Sequence, residues 1–158
     1  MRNVDPIAFF FTWVTFGTWL PGDARGRVDY RRGWQLPSRG LEADCNTRMM
    51  EDAVRLTAQQ RKSDESQVEE TARQRGWHLY AVNCRSNHVH AVVSAGQASP
   101  KKIRTDLKAY ATRVLRQFDP SRTQWWAERG SIRWVFTEDE LSTVVDYVKD
   151  GQDRKPEA

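Results

Sequence analysis

Residues 7–19, IAFFFTWVTFGTW, constrain the fold more than any other stretch of the chain. Aromatic and β-branched side chains fill most positions, and Thr12, Thr15 and Thr18 are the only polar ones. A strand with one wet face alternates apolar with polar, so this run predicts a strand covered on both faces, at the centre of a sheet. Its most apolar part, IAFFFTWV, is strand length and far short of the roughly 20 residues of a membrane span. Pro21 and Gly22 end it. With 158 residues, 39% of them apolar and 29% charged, the composition fits one globular domain over residues 1–158 with a modest core. The N-terminus lacks a basic region, apolar stretch and small-residue cleavage site, so the expectation is a cytoplasmic protein with no membrane partner. Cys45 and Cys84 form no disulfide framework and no zinc spacing, and read as reduced and structural.

Charge is uneven. The net charge is +4, but Arg25, Arg27, Arg31, Arg32 and Arg39 face only Asp23 and Asp29 in residues 22–39. Residues 101–122 hold seven Lys and Arg against Asp106 and Asp119, and the tail from 137 is acidic. Two basic segments on an otherwise balanced chain point to a polyanion, with nucleic acid the first candidate.

Local patterns supply the other elements. Residues from about 22 to 45 mix Gly, Pro and Arg without period, which reads as a long basic loop with room for a short hairpin. From Thr47 to Arg75 the apolar spacing of Met50, Val54 and Ala58 predicts a helix stopped by Gly76, which the polar run QQRKSDESQ could split in two. WHLYAVNC (77–84) and HVHAVVSA (88–95) read as strands of a hairpin around Arg85, Ser86 and Asn87. Ser99 and Pro100 then open a helix to about 118 with Ile103, Leu107, Tyr110, Val114 and Phe118 as its apolar stripe. A short strand over 131–136 follows, and Thr137 with Glu140 forms a capping box for a last helix. The order β, loop, α, β, β, α, β, α matches an α+β ferredoxin-like sandwich, an antiparallel sheet with helices packed on one face.

Within the hairpin, His88 and His90 lie two positions apart on a strand and therefore project from one face. Such a pair can bind a metal, take part in acid-base chemistry, or be half-exposed surface. Histidine-triad nucleotide hydrolases need a third histidine two places on, where this chain has Val92.

NHVH with its apolar strand, LKAYATRVL around Tyr110, and the early TFGTWLPGDARG together resemble the HUH single-tyrosine transposases, particularly the REP-associated branch of the IS200-like group. The resemblance spans roughly residues 8–150, including the late YV at Tyr147. It implies cleavage and joining of single-stranded DNA at hairpin-bearing ends, through a 5′-phosphotyrosine on a ferredoxin-like fold with a divalent metal, Mg²⁺ or Mn²⁺. Residue by residue, His88 and His90 match the metal-binding histidines and Tyr110 matches the nucleophile. Val114 stands where many relatives carry a third, polar ligand; Gln117, Asp106 and Asp23 are the substitutes considered. Arg25, Arg27, Lys101, Lys102, Arg104 and Lys108 are candidates for the DNA backbone, and Trp19, Trp34, Trp125 and Trp126 for base stacking. Monomer and homodimer fit equally. A hairpin binder without cleavage and a water-using metal phosphoesterase are the alternatives.

Overall fold

In a computed structural model of the chain, residues 5–17, 53–128 and 130–150 are described with their side chains, and residues 27–29 and 33–35 as backbone. The apolar run near the N-terminus forms strand β1 (Ala8–Val14). Arg27–Asp29 (β2) and Gly33–Gln35 (β3) pair as a short antiparallel hairpin inside the expected basic loop. Helix α1 (Ala58–Arg75) leads to β4 (Leu79–Cys84) and β5 (His88–Ser94). Helix α2 (Pro100–Leu115), β6 (Ser131–Val135) and α3 (Glu138–Lys149) complete the order. The main sheet runs β4-β5-β1-β6 with every neighbouring pair antiparallel. Leaving out the small hairpin, the β-α-β-β-α-β order with the first strand inside the sheet is the ferredoxin-like arrangement.

β1 is central because both of its faces are apolar. Phe9, Phe11 and Trp13 point to one side, where they pack with Val89, Ala91 and Val93 of β5 and with Ile103, Leu107 and Leu115 of α2. Val68 of α1 joins this core. On the opposite side Ala8 meets Val92, Val135 and the α3 residues Leu141, Val144 and Val148. The α+β sandwich thus has α1 and α2 on one face, while α3 covers part of the other. Trp13, Phe11 and Leu107 are fully buried, and each such side chain removed from water contributes roughly 1.5–3 kcal/mol.

Element boundaries depart from periodicity where caps and extended segments intervene. The first helix starts at Ala58, because Thr57 is its N-cap and forms a reciprocal capping box with Gln60. Val54 and Leu56 are buried with Arg55 exposed between them, a period of two in extended chain. Their amides bond to the carbonyls of Phe16 (2.8 Å) and Ser86 (2.7 Å). Met50 lies outside the described residues. The polar run does not divide α1, which continues to Gly76, whose φ of 75° ends it. In α2 the buried stripe is Ile103, Asp106, Leu107, Ala111 and Leu115. It is rotated from the expected one, so Tyr110 and Val114 are half-buried flank positions and Phe118 lies exposed beyond the helix end.

Candidate active site

The face of the sheet that carries α3 also carries both histidines. Alternation along β5 sends Val89, Ala91 and Val93 into the α1/α2 core and leaves His88, His90 and Val92 on the other side. Register places His90 between Asn83 of β4 and Thr12 of β1, with Ser131 of β6 beyond Thr12. A polar row therefore crosses a sheet that is otherwise apolar.

The two imidazoles are 4.7 Å apart, centre to centre. Each has a fixed oxygen partner at Nδ1. His88 Nδ1 donates to Asn87 Oδ1 at 2.7 Å, and His90 Nδ1 is hydrogen-bonded to Thr12 Oγ1 at 2.7 Å. An oxygen partner at Nδ1 orients each ring and leaves its Nε2 without that bond, the arrangement that commonly supports a metal-binding histidine. Burial, with help from His88 and Arg85, pushes the His90 pKa down to about 3. The ring is therefore held neutral at ordinary pH. Among the described residues no group of three or more His, Cys, Asp and Glu side chains could hold a metal.

Helix α3 brings a tyrosine to these rings. Its buried stripe, Leu141, Val144 and Val148, docks on the sheet, and Asn83 Nδ2 donates to the carbonyl of Val148 at 2.9 Å. That bond ties the last turn of the helix to β4 beside His90. Tyr147 then lies edge-on to His90, with ring centres 5.6 Å apart, and 6.1 Å from Phe10, which itself contacts His90 at 5.3 Å. Tyr147 remains 46% exposed to solvent.

Tyr110, matched to the nucleophile from sequence, is not at this site. Its helix packs on the opposite face, so the sheet separates it from His88 and His90. Its hydroxyl accepts from Arg75 at 3.3 Å, and Arg75 and Arg113 lie over its ring. The same separation removes Val114, Asp106 and Gln117 from the histidines. Asp106 is engaged by Lys102 (3.2 Å) and Arg75 (3.6 Å), while Gln117 is exposed past the end of α2. The basic face of α2 is partly structural. Arg104 donates to the carbonyl of Gly130 (2.9 Å) and Lys108 to that of Ala127 (3.1 Å). Burial, aided by Arg104, pulls the Lys108 pKa down to about 8. Lys101 and Lys102 are exposed. Trp125 is buried in the core and Trp126 packs edge-on against Trp13, so Trp125 offers no stacking face. Asp23, Arg25 and Trp19, and the side chains of Arg27 and Trp34, lie outside the described residues.

Sequence reasoning passed over Tyr147 as a site residue although its YV pair was part of the resemblance. The apolar pattern around Tyr110 resembles the family's nucleophile segment more closely, and only topology distinguishes two helices on opposite faces.

Comparisons with known proteins agree with this architecture. The family model described as Transposase IS200 like matches residues 50–151, more than half of the chain. Among solved structures, a REP-associated tyrosine transposase bound to a REP hairpin superposes with a TM-score of 0.56 at 13% identity, over 94% of this chain and 67% of that one. A candidate transposase from Deinococcus radiodurans R1 aligns with a TM-score of 0.49 at 16% identity, over 95% of each chain. The comparison with curated proteins gives no match. No helix of the described residues is long and apolar enough to cross a membrane. Together, the family match and a ferredoxin-like sheet bearing a histidine pair mean that the chain belongs to the IS200-like transposase family.

Proposed function

We propose that the protein cleaves and rejoins single-stranded DNA at hairpin-bearing sites, with Tyr147 as the nucleophile and His88 and His90 as ligands of a divalent cation. The observation that carries this reading is the convergence of Tyr147 and both histidines on one face of the sheet. Two imidazoles with oriented rings fit such a cation, and nitrogen donors favour Mn²⁺ over Mg²⁺. Bound there, the cation supplies charge neutralisation of the phosphate oxygens and orientation of the phosphate.

The chain's own residues do the rest. Thr12 and Asn87 hold the two rings, while Asn83 anchors the helix that presents Tyr147. The Tyr147 oxygen attacks phosphorus, the bond from phosphorus to the 3′ oxygen breaks, and the hydroxyl proton is accounted for when the departing oxygen leaves as a 3′-hydroxyl. The product is a 5′-phosphotyrosine. Attack by another 3′-hydroxyl reverses the step, so rejoining needs no nucleotide cofactor. Hairpin DNA as substrate is supported by the structural neighbour, which was solved with a REP hairpin.

Incubation with Mn²⁺ and single-stranded hairpin oligonucleotides tests the proposal. The expected result is a denaturation-resistant protein–DNA adduct that Tyr147→Phe abolishes. Cleavage persisting in that variant would indicate a phosphoesterase that uses water, and binding without cleavage in the parent protein a hairpin binder.

A further inference from the structure

Two of the exposed large hydrophobic side chains of the described residues sit together on one edge of the sheet. Trp134 is 49% exposed and Phe136 38% exposed, with ring centres 6.3 Å apart. Beneath them Phe9, itself buried, meets Trp134 edge-on at 5.8 Å. Isolated surface aromatics are common, but two adjacent rings, tilted 41° to each other and braced by the core through Phe9, form an apolar platform. It loses little side-chain entropy when something packs on it.

The residue before Trp134 carries the complementary chemistry. Alternation along β6 turns Arg133 to the opposite face, the one with the histidines, where it pairs in register with Phe10. Phe10 touches both His90 and Tyr147. Arg133 and Ser131 are exposed on that face. Within one step of β6, an exposed guanidinium beside the candidate site thus gives way to an exposed aromatic pair round the edge. β6 is also the outer strand of the sheet, so nothing in the sheet itself blocks a chain from passing over it.

We infer that the β6 edge is a track for single-stranded DNA, in which Arg133 holds a backbone phosphate next to the reacting one and Trp134 and Phe136 stack the flanking bases. The inference deepens the proposed function and rests on it for its direction. Charge and ring chemistry select the occupant. Alternating phosphates and bases match an alternation of cation and aromatic platform, whereas the bases of a duplex hide their stacking faces.

Binding of fluorescent single-stranded oligothymidylate, followed by anisotropy across a range of salt concentrations, tests the track with the full chain. Trp134→Ala and Phe136→Ala are each expected to weaken binding roughly tenfold, and Trp134→Phe to keep most of the affinity. Arg133→Gln is expected to lower the slope of log affinity against log salt by about one. Unchanged oligothymidylate affinity in the two alanine variants, with thermal unfolding like the parent, overturns the inference. So does a self-association that Trp134→Ala abolishes while DNA binding stays intact, because the edge would then serve a second copy of the chain. Adduct formation by the parent protein separates the two claims. If the adduct forms and the alanine variants bind normally, only the track fails; if no adduct forms yet they bind weakly, only the cleavage reading fails.

Discussion

Asp64→Asn should make the protein's stability less sensitive to pH. Asp64 lies on α1 and is fully buried. Its Oδ2 accepts from the Cys84 thiol at 3.1 Å, and its Oδ1 has no hydrogen-bond partner among the described residues. Burial pushes its pKa from 3.8 to about 7, with the Cys84 hydrogen bond opposing the shift and Glu65 adding to it. Burial and the neighbouring Asp64 push the Cys84 thiol far up, so it stays a protonated donor. The folded state therefore binds a proton that the unfolded chain releases near pH 4. A raised folded pKa gives stability that is full below the unfolded value and is lost as pH rises to the folded one. Between pH 5 and pH 7 this single group removes about 2 kcal/mol, from 1.36 kcal/mol per unit over the range where folded Asp64 stays protonated. Urea unfolding at both pH values, read by tryptophan fluorescence, measures the effect. The expected result is that the parent loses about 2 kcal/mol more than Asp64→Asn over this interval. Parallel pH dependence in the two proteins would refute the buried, protonated carboxyl.

Two further substitutions probe the frame of the site. Gly130 adopts φ 141°, and a Cβ there would meet the Thr12 carbonyl oxygen at 2.5 Å. Gly130→Ala should cost about 1–3 kcal/mol of backbone strain, and more from the clash, seen as a lower thermal midpoint; an unchanged midpoint would mean that the approach to β1 is looser. Thr12→Val removes the hydrogen bond to His90. Calorimetric titration should then show Mn²⁺ affinity reduced roughly 10- to 100-fold with stability little changed, and equal affinity would show that Thr12 does not orient the ring.

Much of the architecture is legible in the sequence, for reasons tied to particular residues. The run Ala8–Val14, apolar but for Thr12, reads as a central strand, and Thr137 with Glu140 marks the start of α3 through their side-chain chemistry. There the cap differs in detail: Thr137 Oγ1 accepts from the Glu140 amide, but the Glu140 carboxylate reaches back to the amide of Phe136. Histidine alternation correctly put His88 and His90 on one face. Periodicity failed where two patterns overlap. Val54 reads as helical beside Met50 and Ala58, yet Leu56 shares its burial and makes the segment extended. The buried α2 stripe shifts by one position after Leu107, since Ala111, small and weakly hydrophobic, holds the buried place that the periodicity gives to Tyr110. Which side of the sheet a helix covers depends on strand order, and strand order is not written in any local window. That is why Tyr110 and Tyr147 could not be told apart as partners of the histidines, and why Arg133 and Trp134 gave no signal.

The central claim is that the reacting tyrosine is the one on the histidine face. Mass mapping of the covalent DNA adduct tests it most directly. After nuclease trimming and tryptic digestion, the residual nucleotide is predicted on the peptide Trp134–Lys149, attached to Tyr147. Its appearance instead on the peptide Ala109–Arg113, attached to Tyr110, would contradict the account.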